Sequence, residues 1–213
     1  KFLIKKSKPF DPSTIDDGVA QETEWTPLKR GGTNLRTHNL VKVSRDRLAF
    51  KPTIGVLALG CAIPLFALGL GASLVFSALG RSSDDNTAIT IVLATVFTIA
   101  FCAVGVFLLR SMRKPRFFDL HEGWYWASRK SIELANRNEG RKHGVPIEDI
   151  YALQIIREYC RSGGKNHQSY YSYELNLVLT DTSRINVVDQ SNVRTFYEDA
   201  KRLAKFLDIP LWD

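Results

Sequence analysis

Two uncharged apolar runs set the limits on what this chain can fold into. Residues 52–80 are a stretch of 29 without an acidic or basic side chain, and residues 86–109 are another of 24. A helix needs about 20 apolar residues to cross the hydrocarbon core of a bilayer, so each run is long enough to span it. Between them lies only Arg81-Ser82-Ser83-Asp84-Asp85. The pair reads as a membrane hairpin from which the remaining sequence hangs. A mean hydropathy of −0.12 conceals this, because the apolar residues are concentrated in the two runs.

The runs themselves exclude several kinds of machine. Neither holds Asp, Glu, His, Lys or Arg, the groups that pumps and proton relays place at membrane depth. Pro64 removes a backbone donor and predicts a kink in the first helix. Small residues recur at every fourth position: Gly69, Ser73 and Ser77 in the first run, Ala94, Thr98 and Cys102 in the second. Such spacing lets helix backbones approach closely. Both stripes are expected to pack the hairpin against itself, and the sharper alternative is an oligomer interface.

Charge at the flanks sets the orientation. Residues 36–51 carry five Lys/Arg, residues 81–85 one, and residues 110–116 four: Arg110, Arg113, Lys114 and Arg116. Basic flanks face the cytoplasm and touch anionic headgroups, so both termini are expected inside and the short loop outside. The net charge of +7 is largely accounted for by these flanks. No basic stripe interleaved with aromatics points to nucleic acid. Three scattered cysteines make no disulfide framework, which suits a reducing compartment for the soluble part. The opening Lys1-Phe2-Leu3-Ile4-Lys5-Lys6 lacks the apolar core of a secretory leader.

Residues 1–37 are polar and rich in turn formers, and are expected to be a mobile arm. Trp25 is their outstanding side chain; it docks either on its own domain or on a partner. Residues 38–51 predict a short β-hairpin, with Val41 and Val43, then Leu48 and Phe50, alternating with polar residues. Because this hairpin and the strand-like residues 117–127 flank the apolar runs on the same side, the two are expected to join one folded domain. Membrane helices are expected over 52–80 and 86–109, an external loop over 81–85, and a cytoplasmic domain over 110–213.

In that last region, Phe117 to Leu120 and Trp124 to Ala127 flank a His121-Glu122-Gly123 turn and predict a hairpin. Ile132 and Leu134 suggest a short strand. The region from Leu153 to Arg161 is strand-like, interrupted by Arg157. Tyr171, Tyr173, Leu175, Leu177 and Leu179 then alternate with Ser172, Glu174, Asn176, Val178 and Thr180, a period of two. Asp181-Thr182-Ser183 turns this strand into Arg184-Ile185-Asn186-Val187-Val188-Asp189. Val193, Phe196, Tyr197, Ala200, Leu203, Ala204 and Leu207 give a helix one broad apolar face. Ser191 or Asn192 caps it, Pro210 stops it, and Trp212 packs back on the sheet. The expected fold is a membrane α-hairpin plus an α+β domain, an antiparallel sheet or partly open barrel closed by one C-terminal helix.

The hairpin of residues 171–180 with 184–189, its Asp-Thr-Ser turn and the single helix ending near Pro210 resemble bacterial pleckstrin-homology-like domains on membrane hairpins, found in bacterial inner-membrane proteins. The resemblance covers roughly residues 117–213. It implies a scaffold or interaction module in the bacterial inner membrane, with no catalytic residues to carry over. The turn that would hold inositol phosphates in related eukaryotic domains would be His121-Glu122-Gly123, which is not basic, so phosphoinositide binding is not implied.

Chemical motifs are weak. Arg161-Ser162-Gly163-Gly164-Lys165-Asn166 lacks the first Gly and the Ser/Thr of a phosphate loop. Cys160 and His167 have no third group to orient them as nucleophile and base. His38, His121, His143 and His167 have no metal-ligand spacing. No cofactor, metal site or catalytic residue is expected. The residues singled out are therefore Trp25, Lys165, His167 and Tyr170 for partner binding, and Arg110, Arg113, Lys114 and Arg116 for headgroup contact. The leading expectation is a non-enzymatic tethered interaction module, its partners the bilayer and either another protein or a second copy. A homo-oligomeric assembly with a small channel or sensing role is the alternative, and a membrane-surface enzyme ranks third.

Overall fold

A computed structural model of the chain describes residues 10–80, 85–112, 116–127, 144–161 and 169–213. The chain divides into two compact units, the apolar hairpin in one and the sequence on both sides of it in the other.

The second unit contains two sheets. The first has the order β1 (His38–Ser44), β2 (Arg47–Pro52), β3 (Arg116–Asp119), β4 (Trp124–Trp126), β5 (Gly144–Pro146). β2 and β3 are antiparallel neighbours, Leu48 opposite Phe118 and Phe50 opposite Arg116. Residues before and after the apolar runs thus lie in one ladder. The β3–β4 turn depends on Gly123 at φ +72°, where a Cβ would be strained. It depends equally on Asp119, whose carboxylate accepts from the His121 and Glu122 N–H groups at 3.1 and 3.2 Å and meets the Arg47 guanidinium.

The second sheet has the order β8-β7-β6-β9: β6 (Ile150–Arg161), β7 (Ser169–Leu179) and β8 (Arg184–Gln190) are antiparallel, and β9 (Leu211–Trp212) runs parallel to β6. Between β8 and β9 comes one long helix, Val193–Leu207, whose start is capped by Asn192 accepting from Thr195 N–H at 3.3 Å. Its buried stripe of Phe196, Ala200, Leu203, Ala204 and Leu207 seats on Leu153, Ile155, Leu175 and Leu177 of the sheet, with Leu48, Phe50, Phe118 and Tyr125 of the first sheet completing the core. Among the described residues no strand of one sheet pairs with a strand of the other, so the domain is two sheets and a helix rather than a closed barrel.

The expectation of a mobile arm over residues 1–37 is corrected for residues 10–37. This stretch straps the face of the second sheet that the long helix leaves uncovered. It holds a 3-10 turn (Pro12–Thr14) and α1 (Gly18–Glu22), capped by the Asp17 carboxylate. Ala20 is fully buried with Ala152, Val178 and Trp212, and Trp25 packs beside them, stacked on Phe10 with ring centroids 4.0 Å apart. Polar contacts continue the seam. The Leu28 and Lys29 N–H groups donate to the two Glu174 oxygens at 3.0 and 3.2 Å, and Thr33 N–H donates to Ser172 Oγ at 2.9 Å. Composition misleads here because few apolar side chains suffice when a sheet supplies polar partners for the strap's backbone. The period-two strand β7 consequently buries both faces: Ser172, Glu174 and Asn176 are at most 4% exposed. Ile132, Leu134 and the 128–143 segment lie outside the described residues.

The other unit is two helices, α2 (Ile54–Leu79) and α3 (Asp85–Met112). Both are long and apolar enough to cross a membrane. α3 runs past the apolar residues through Arg110. Their packing corrects one of the two small-residue stripes. Val56, Gly60, Ala67, Gly71 and Ala78 form the buried face of α2, whereas Gly69, Ser73 and Ser77 point outward. A Cβ at Gly69 would meet nothing within 4 Å; at Gly71 it would collide with the Thr98 side chain. On α3, Ala94 is buried, Thr98 and Cys102 are half-buried, and the Cys102 thiol faces the Pro64 carbonyl at 3.9 Å. Residues 60, 67, 71 and 78 lie on one face of α2 and residues 69, 73 and 77 on another, and the close approach to α3 falls at Gly60, against Leu109, and Gly71, against Thr98. With α1 to α3 assigned, the long helix Val193–Leu207 is α4.

Candidate interaction surface

β6 and β7 are longer than the strands beside them. They pair with each other out to Arg161 opposite Ser169, but β8 joins β7 only as far as Tyr173, and β9 joins β6 only at Leu153 and Gln154. The end of the hairpin is therefore a two-stranded ribbon with distinct faces. Alternation places Arg157, Tyr159, Arg161, Tyr171 and Tyr173 on the α4 side and Glu158, Cys160, Tyr170 and Ser172 on the strap side.

On the α4 side the ribbon is a cationic aromatic surface. The Arg157 guanidinium lies over the Tyr171 ring, 5.3 Å from its centroid, and Arg161 lies over Tyr159 at 5.8 Å. The two tyrosine rings are 5.4 Å apart. Cation–π contact fixes a guanidinium without consuming its N–H donors. Both arginines are exposed, and among the described residues neither lies within 4.0 Å of a carboxylate. At the foot of the surface Tyr173 packs on Phe196 and Tyr197, and the Tyr197 hydroxyl donates to the Asp213 carboxylate at 2.6 Å. Burial and that carboxylate push the Tyr197 hydroxyl pKa well up, so it stays a donor.

The strap side is closed. Gly31, at φ +93°, and Gly32 press on it so tightly that a Cβ at Gly32 would collide with Ser172 and approach Cys160 Sγ to 3.1 Å. Gly31 N–H donates to Glu158 Oε1 at 3.1 Å. Burial first, and then the Glu158 charge, raise the Cys160 thiol pKa. A buried thiol kept protonated is a poor nucleophile.

The residues expected to bind partners are not brought together. Trp25 is taken up by its own domain, Tyr170 sits half-buried opposite Cys160 on the strap side, and Lys165 and His167 lie outside the described residues. Of the residues expected at headgroups, Arg110 is exposed in the last turn of α3, and Arg113 and Lys114 lie outside the described residues. Arg116 is half-buried in β3, opposite Phe50. Its charge reaches Tyr125, whose hydroxyl burial pushes up to about 12, and His38, whose imidazole is lowered to about 4 by burial first and then by Arg116.

His38 carries a pH prediction. Its folded pKa of about 4 lies below the ordinary 6.5, so the unfolded chain takes the proton first. Its contribution is complete above about 6.5 and is lost as pH falls toward about 4. Asp189 and Asp199, whose carboxyl pKa values burial raises, act in the opposite sense at the acid end. Thermal melts of wild type and His38→Gln from pH 7 to 4 are therefore expected to converge as the wild type loses its advantage. Parallel curves would contradict the assignment.

The Arg157–Tyr159–Arg161 triplet was missed in the sequence, where Arg157 reads as an interruption of an apolar strand; period two is the signal that could have set all three on one face. Tyr171 of β7, on which the Arg157 guanidinium rests, required the register. Among the described residues no group of His, Cys, Asp and Glu could hold a metal ion. No protein-family model matches the chain, and neither curated proteins nor solved structures give a match.

Proposed function

We propose that the chain is a non-enzymatic integral membrane protein of the bacterial inner membrane, in which a helical hairpin tethers a pleckstrin-homology-like domain that acts as a scaffold or protein-interaction module. The supporting observation is the place of the hairpin in the chain. It leaves from the end of β2 and returns at the start of β3, and these strands are hydrogen-bonded neighbours, Phe50 opposite Arg116. The domain is thus joined to the hairpin by two covalent connections from adjacent strands rather than by one. The order of two sheets followed by one amphipathic helix supports the pleckstrin-homology-like reading. The basic residues of 36–51 and 110–116 support cytoplasmic termini.

The test is extraction and topology in bacterial cells expressing the chain. The protein is expected to stay in the membrane pellet at alkaline carbonate. Its C-terminal domain should resist protease added to spheroplasts and be digested in inverted vesicles. Release by carbonate, or digestion from the outside, would overturn the reading.

A further inference from the structure

The open edge of β6 beside the arginine–tyrosine surface has a specific capacity. Leu153 N–H donates to the Pro210 carbonyl on the β9 side, and main-chain groups alternate sides along a strand. The N–H and C=O groups of Arg157, Tyr159 and Arg161 therefore point to the same side, beyond the point where β9 pairing stops at Gln154. Among the described residues none of them has a backbone partner there. An unpaired strand edge is a template for an added strand. Exposed charges on an edge guard it against indiscriminate pairing and select a partner of opposite sign.

We propose that this edge binds an extended segment of another protein as an added antiparallel strand, and that the segment carries an acidic residue, an apolar residue two positions on and a second acidic residue two further. The spacing follows from the face that the added strand must match. Arg157 and Arg161 are four residues apart, roughly 13 Å along a strand, with Tyr159 midway between them. Cross-strand partners share a face, so a carboxylate stands opposite each guanidinium and an apolar side chain opposite the Tyr159 ring. Each guanidinium, already oriented on a tyrosine, meets its carboxylate with N–H donors uncommitted. Main-chain bonds supply affinity and the charge pattern supplies selection. The intervening residues of the partner fall on the strap side, next to Glu158, so acids there are disfavoured.

This proposal rests on the reading of the domain as an interaction module, and it names the partner class. The test uses the full-length protein in detergent and a fluorescent peptide, Thr-Glu-Thr-Val-Thr-Glu-Thr, read by anisotropy. Saturable binding is expected. It should fall at least tenfold when the peptide is N-methylated at alternate amides facing the edge, which leaves its charge intact. It should also fall at least tenfold with Arg157→Glu/Arg161→Glu, and that variant should instead take Thr-Lys-Thr-Val-Thr-Lys-Thr. Circular dichroism of the variant reports whether it folds; should it fail to, Arg157→Gln/Arg161→Gln replaces it with the same expected loss. No saturable binding by the wild type, or equal binding of the N-methylated peptide, overturns the proposal. Binding to vesicles with anionic lipid that survives in the double variant while the peptide fails to bind does so as well. The membrane extraction and topology experiment is independent of these outcomes, so loss of the partner class and loss of the tethered-module reading are distinguishable.

Discussion

Leucine at Gly71 or Gly105 is expected to open the helical hairpin, and leucine at Gly69 to leave it closed. The three glycines look alike in sequence and differ in what faces them. At Gly105 a Cβ would lie 2.7 Å from Cδ of Pro64, a ring with no rotamer to escape into. At Gly71 it would strike Thr98, whose hydroxyl is committed to the Ala94 carbonyl at 2.7 Å. At Gly60 the obstacle is the tip of Leu109, which can swing away. Forcing bulk into a packed interface costs about 1–3 kcal/mol, and surface substitutions stay within about 0.5 kcal/mol. The checking measurement is a spin-label distance between Leu59→Cys and Phe107→Cys, the native cysteines replaced by Ser, followed through an SDS titration. The helices are expected to part at lower SDS in Gly71→Leu and Gly105→Leu, with Gly60→Ala close to wild type. A Gly69→Leu hairpin that opens as readily as Gly105→Leu would contradict the packing.

How much of this was legible without coordinates differs from element to element, for physical reasons. The apolar runs were legible because length and the absence of charge are properties of a single segment. So was the last helix, where seven apolar positions at helical spacing define a face and Asn192 marks its start. The alternation in 40–50 and 117–127 contained the strands of the first sheet. Their register, Leu48 on Phe118, is a property of two segments and needed the fold. The stripe of Gly69, Ser73 and Ser77 was misplaced because a four-residue period fixes that residues share a face and not which face is buried. The strap failed for the complementary reason. A polar segment reads as mobile when judged by its own apolar content, yet its anchors lie far away in sequence, in Glu174, Arg184 and Trp212. Even β7, the strand with the cleanest period, hid half its environment, since Ser172, Glu174 and Asn176 look solvated until the strap covers them. The candidate surface was half legible: Arg157, Tyr159 and Arg161 alternate along one strand, while Tyr171, on which the Arg157 guanidinium rests, comes from the other strand.

Release of the strap by Glu174→Ala is the second large effect expected. Glu174 is 4% exposed, and its carboxylate accepts from Leu28 N–H, Lys29 N–H and the Asn176 amide, the last at 2.7 Å. Alanine removes both of these partly buried hydrogen bonds to a charged acceptor, each worth about 1.5–3 kcal/mol, and so favours lifting of the strap. A neighbouring clamp limits the movement at first. Arg184, its side chain 4% exposed, donates to the Thr26 carbonyl at 2.8 Å and pairs with Glu24 at 3.2 Å. Adding Arg184→Ala removes it. The readout is tryptic cleavage after Lys29 and Arg30, which lie in the strap and can enter a protease only when that stretch is locally unfolded. Two kcal/mol of lost docking corresponds to roughly a 30-fold faster cut at low protease, where cleavage tracks the open population. Glu174→Ala is expected to reach at least that, and the double variant to exceed it. The core of Leu153, Leu175, Phe196 and Leu203 lies on the opposite face of the sheet, so the rest of the domain should stay resistant. Trp25→Ala, which removes the apolar anchor beside Trp212 and leaves every carboxylate in place, should speed the same cut. Unchanged cleavage in both Glu174→Ala and Trp25→Ala would mean that the strap is held by something other than this carboxylate and this ring.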